Sequence, residues 1–121
     1  MNDPNSPHAA ALIRRGWETA HSISEHLDGL RDATPNPDQE AAPYDKYIPI
    51  NQQRINRIRK SLAKEGLNPA LRGAVRGVKA GTKMLVLNEF WCGDGAQILP
   101  VHEAMVHASE GRVEVRAVMR D

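Results

Sequence analysis

The sequence predicts an α/β protein: a helical N-terminal extension followed by a β-α-β unit with a parallel strand pair. Three observations carry this. The aliphatic run Met84 to Leu87 continues into Asn88-Glu89-Phe90-Trp91 and has the makeup of a buried strand. A glycine-flanked turn follows, and then a segment of helical periodicity, Ala96 to Ala108, with Ile98, Val101, Met105 and Ala108 on one face and Gln97, His102, Glu103 and Glu110 elsewhere. Finally, Val113, Val115, Ala117 and Met119 alternate with Glu114, Arg116, Val118 and Arg120, the pattern of a half-buried strand. A helix between two strands implies a right-handed parallel crossover.

From the N-terminus, residues 8–31 predict a first helix, because Leu12, Ile13, Trp17, Ala20, Ile23, Leu27 and Leu30 recur at spacings close to three and four; Gly16 weakens it. Asp32 to Pro43 holds Pro35, Pro37 and Pro43 with Asn36 and Asp38, and reads as a linker. The main boundary is placed there. Residues 1–46 form an acidic helix and linker, and residues 47–121 a helical lead-in plus the β-α-β unit. Asn51 is expected to cap a helix lined by Ile55, Ile58 and Leu62 and stopped at Gly66. Asn68-Pro69 starts another, with Leu71, Val75 and Val78 inward and Gly81 at its end. Pro100 predicts a bend or late start in the following helix, and Gly111 its stop.

Charge is unevenly distributed around a formal net of +1. Residues 1–45 hold three basic and eight acidic side chains, whereas residues 51–83 hold nine basic ones against Glu65 alone. An acidic head folding back on a basic middle is the electrostatic expectation. The basic stretch has no interleaved aromatics and no groove-reading motif, so nucleic acid is not the expected partner. With 40% hydrophobic residues, 4% aromatic and a mean hydropathy of −0.53, the chain has little material for a core. No apolar stretch approaches the roughly 20 residues that cross a bilayer. The start, Met1-Asn2-Asp3-Pro4, lacks the basic and apolar regions of a secretory signal. A cytoplasmic protein is expected, and one unpaired cysteine suits a reducing compartment.

That cysteine, Cys92, stands at the end of the strand run and just before the helix, where free backbone N–H groups and the helix dipole favour negative charge on sulfur. Leu85-Val86-Leu87-Asn88-Glu89-Phe90-Trp91-Cys92-Gly93-Asp94, followed by Ala96-Gln97 and Pro100, resembles the redox loop of the thioredoxin superfamily. In particular it resembles a bacterial group with Trp-Cys-Gly-Asp in place of Trp-Cys-Gly-Pro-Cys. The resemblance is strongest over residues 83–121, and residues 47–62 look like the helical lead-in of that group. It implies a partial thioredoxin-like fold in which Cys92 is the reactive thiol.

Two departures shape the functional expectation. The place of a second, resolving cysteine is taken by Gly95, so no internal disulfide can form and dithiol thioredoxin activity is excluded. The C-terminal strands, their covering helix and the cis-proline loop that the resemblance implies lie beyond Asp121. A truncated product, a second copy or a completing chain is therefore the expectation, because unpaired sheet edges invite association.

Candidate site residues follow from the motif. Cys92 is the thiol, with a buried inert thiol as the plain alternative. Asp94, in the first helical turn, caps backbone N–H groups or relays a proton, and its charge opposes a thiolate. Trp91 and Gly93 form the substrate-binding surface, Trp91 as a packing platform. Glu89 is either a base near the thiol or a solvated strand-end acid. His21 with His26, and His102 with His107, are five apart, off the spacing that brings metal ligands to one helix face, so neither metal nor cofactor is expected. His102 as a base for Cys92 is disfavoured by ten helical residues, roughly 15 Å of rise. Three function classes result: a monothiol redox or thiol-sensing protein served by external thiols such as glutathione, a non-catalytic binding module, and an inactive fragment.

Overall fold

The computed structural model describes residues 3–36, 38, 40 and 42–120. Met1, Asn2, Pro37 of the expected linker and Asp121 lie outside the described residues. Helix α1 (Pro7–Thr19) starts where the Ser6 hydroxyl accepts the Ala9 N–H at 3.1 Å. The helix expected over residues 8–31 is in fact two. Ala20 turns extended, His21–Ser22 forms the short strand β1, and the Ser22 hydroxyl accepts the Glu25 N–H to open α2 (Ile23–Asp32). The periodic spacing ran across the break because a serine hydroxyl supplies a new N-cap within one turn. Beyond α2, the described residues up to Pro43 form no helix or strand, as the proline content predicts. Gln52 ties their start down by donating to the carbonyls of Leu30 and Ala33 at 3.0 and 2.7 Å.

Helix α3 (Ile48–Glu65) begins three residues before the expected cap at Asn51, with Pro49 in its first turn, and ends at Gly66 in the left-handed region (φ 74°). Helix α4 (Pro69–Arg76) is capped by Asn68, whose side chain accepts the Ala70 N–H at 2.8 Å. It stops at Gly77 rather than Gly81; Gly81, at φ 87°, turns the chain just before strand β2 (Thr82–Leu87). Helix α5 (Gly93–Ala108) leads to β3 (Val113–Val118), which pairs in parallel with β2 from Thr82↔Val113 to Leu87↔Val118. Strand β1 pairs antiparallel with the other side of β3, so the sheet order is β1-β3-β2.

That order corrects the reading of β2 as a buried strand. It lies at an edge of the sheet, and Met84 and Leu87 are 36% and 66% exposed. An aliphatic run marks a strand, but the number of its neighbours is decided by topology. In β3 the alternation holds: Val113, Val115 and Ala117 are buried. From the other face of β3, Arg116 donates to the Trp17 carbonyl at 2.9 Å and lies 4.2 Å from its ring, which docks α1 on the sheet. Gly16 allows that approach, since a Cβ there would stand 3.2 Å from a Leu85 methyl.

The core joins Ile23, Leu27 and Leu30 of α2 to Ile55, Ala96, Leu99, Val113 and Val115. Segments 1–46 and 47–121 thus share one apolar cluster. Helix α5 buries Ala96, Leu99, Pro100 and Glu103, not the expected face of Ile98, Val101, Met105 and Ala108; Ile98 is 52% exposed, and the other three are half-buried. Both faces of this helix carry apolar residues, so hydrophobicity did not distinguish them. The buried face includes Glu103 because α3 supplies Arg59, which binds its carboxylate at 2.9 and 2.6 Å and also Asp28 of α2 at 2.8 Å. Through Asp28 the acidic head meets the basic middle. Burial works against the Arg59 charge, and the hydrogen bonds it donates to Glu103 and Asp28 outweigh it, holding the guanidinium above its ordinary range. Helix α5 remains one helix through Pro100.

Candidate functional site

The turn from β2 into α5 gathers Trp91, Cys92, Gly93 and Asp94. Cys92 is the N-cap of α5, three residues earlier than the periodicity suggested: its backbone is extended, its carbonyl accepts the Ala96 N–H at 3.2 Å, and its half-buried sulfur accepts the Gly95 N–H at 3.4 Å. The sulfur itself takes the capping position that sequence reasoning assigned to Asp94. Asp94 is exposed in the first turn, and its carboxylate makes no hydrogen bond among the described residues. Glu89 is turned elsewhere, accepting the Arg120 backbone N–H beyond the end of β3. Trp91 is 39% exposed and packs against Tyr44 with the rings tilted by 31° and their centroids 4.9 Å apart, which adds a second aromatic side chain to the platform. At Gly93 a Cβ would stand 3.0 Å from the Arg54 guanidinium, a close approach that a small shift of the arginine tip would relieve.

Three polar residues that sequence reasoning did not assign to the site hold this turn in place. Asn51, fully buried in the first turns of α3, donates to the Phe90 carbonyl at 3.0 Å and accepts from Arg54 at 3.0 Å. Its misreading as a helix cap came from asparagine's capping preference, although Pro49 carried the truer start signal. Asn88, 6% exposed, donates through Nδ2 to Nε2 of His26, 2.9 Å away. Because an amide nitrogen only donates, His26 is neutral there, with its proton on Nδ1. Burial, and secondarily the proximity of His21, push the His26 pKa down to about 4. Its ring meets Phe90 at 5.3 Å, behind the thiol turn.

Asn51→Ala is expected to cost about 2 kcal/mol in urea unfolding, because it leaves the Phe90 carbonyl and the Arg54 guanidinium without their partner. An unchanged midpoint would show that water takes over both bonds.

The histidines do not converge on the thiol. His102 Nδ1 lies 3.1 Å from the Ile98 carbonyl within α5, and among the described residues no group of three His, Cys, Asp or Glu side chains is placed to hold a metal. No described helix is long and apolar enough to cross a membrane.

A parallel β-α-β unit with a cysteine capping its helix, behind a tryptophan in the turn that follows the strand, defines a thioredoxin-like protein. A family model described as thioredoxin matches residues 38–121, and the chain belongs to that family. No curated protein and no solved structure matches it.

Proposed function

We propose that this chain is a monothiol member of the thioredoxin family, of the bacterial group with a Trp-Cys-Gly-Asp turn, working through Cys92 in a reducing compartment such as the cytoplasm. The observation that carries the reading is the Cys92 sulfur at the helix N-cap with the Gly95 N–H directed at it. Amide dipoles at that end stabilise negative charge, and the thiolate is the nucleophile. In the step proposed, the Cys92 thiolate attacks one sulfur of a disulfide, forms a mixed disulfide and expels the other sulfur as a thiolate, which takes a proton from water. A second, external thiolate, from glutathione or another protein, then attacks the substrate sulfur and releases Cys92. Trp91 with Tyr44, and the half-buried backbone at Gly93, form the surface that a substrate meets. Asp94 is a proton acceptor at its rim.

Reaction with iodoacetamide at neutral pH tests this. Cys92 in the folded chain is expected to alkylate about threefold faster, or more, than in urea. Equal or slower reaction in the folded chain would remove the activated-thiol reading. A binding module is the second reading, favoured by the exposed Trp91–Tyr44 pair and by Leu87, 66% exposed at the end of the edge strand. Partner capture that survives Cys92→Ser supports it.

A further inference from the structure

We propose that Asn88 holds residue 95 as glycine and so keeps a resolving thiol out of this centre, because its carboxamide occupies the space that any side chain at residue 95 would need. The inference builds on the reading of Cys92 as a thiol centre and names what limits its partners. Gly95 is the residue whose N–H meets the Cys92 sulfur, so a thiol at position 95 would stand within reach of it. An ideal Cβ at Gly95 would lie 1.9 Å from Asn88 Oδ1, 2.7 Å from its Cγ and 3.1 Å from its Nδ2.

Rotating the amide about its terminal bond does not clear this overlap, because Cγ is itself too close. Asn88 would have to change its first side-chain torsion, in a site where it is 6% exposed and bound to His26 at 2.9 Å. That move separates Asn88 from His26 and leaves two buried polar groups unpaired. His26 in turn is 3% exposed and set against Phe90, so it does not follow. Glycine at 95, asparagine at 88 and the neutral histidine at 26 form one steric unit.

Its chemical consequence concerns resolution. A mixed disulfide on Cys92 is broken only when an external thiolate attacks it, forming a new disulfide and returning the Cys92 thiolate. The partner class is a thiol small or exposed enough to reach the Trp91–Gly93 rim.

The test is a stability cycle and an oxidation. Gly95→Ala is expected to lower the urea midpoint strongly in the native background and far less when combined with Asn88→Ala. In the second arm, Gly95→Cys and Gly95→Cys/Asn88→Ala are treated with oxidised glutathione. Closing the internal disulfide consumes two protein thiols and releases two glutathione thiols. The double variant is expected to give about tenfold more internal disulfide relative to glutathione adduct than the single variant. A Gly95→Cys chain that does not fold while the double variant does also supports the proposal. It is overturned if Gly95→Ala melts like the native chain, if Asn88→Ala brings no relief, or if both cysteine variants close the disulfide equally. The stability arm is independent of Cys92 reactivity, so a failed alkylation test and a failed cycle are told apart.

Discussion

Arg59→Met is expected to destabilise the protein by about 3 kcal/mol, seen as a lower urea midpoint at unchanged slope. The guanidinium is the only cation bonded to Glu103 among the described residues, and the two side chains are 19% and 11% exposed. Removing it leaves a carboxylate in the core-facing side of α5 with nothing to offset its desolvation. It also releases α2, because Arg59 joins Asp28 and the Ser24 carbonyl to the same knot. The partners need not weigh equally. Asp28 is 47% exposed, and Asp28→Asn is expected to cost under about 1 kcal/mol. Replacing both members, Arg59→Met with Glu103→Leu, is expected to recover most of the loss, since no unpaired charge remains. If Arg59→Met unfolds within about 0.5 kcal/mol of the native chain, the pair is a solvated surface contact and the account of the α5 face is wrong.

Stability is expected to fall as pH drops from 6.5 to about 4, with His26 contributing roughly 3 kcal/mol to the change. The sign follows from proton counts. In this window the unfolded chain carries a protonated His26 while the folded chain keeps it neutral, so acid favours the unfolded state. The contribution is fully present above 6.5 and lost once the folded chain also titrates near 4. Protonation would place an N–H where Asn88 already points an N–H, so the buried bond becomes a clash of donors. The measurement is the unfolding free energy by urea at several pH values for the native chain and His26→Gln. The difference between the two curves should bend in that window; parallel curves would mean that His26 titrates as if exposed. Exposed carboxylates act on both proteins alike and cancel in the difference.

Much of the fold was legible from local chemistry. The strand around Met84 to Leu87, though not its expected continuation through Asn88 to Trp91, the alternation of Val113, Val115 and Ala117, the Asn68-Pro69 start and the Gly66 stop all follow from residue spacing and caps, which act over a few positions. The single cysteine just ahead of a helix start was legible for the same reason. Asn51, Asn88, His26 and Arg59 were not. Each owes its role to a partner 31 to 62 residues away, and an isolated polar residue in a sequence looks the same whether it meets water or a buried carbonyl.

By itself the sequence determined helices α3 and α4, the strand-helix-strand order of β2, α5 and β3, that one thiol stands just ahead of α5, and that these 121 residues hold no second cysteine to pair with it. Tertiary structure alone decided that β2 lies at the sheet edge, that α5 buries Glu103 rather than Ile98, and that the sulfur, not Asp94, caps the helix. The reason is range. Periodicity and capping are settled by neighbours along the chain, whereas desolvation of a charge or an amide is offset only by a group that folding brings from elsewhere.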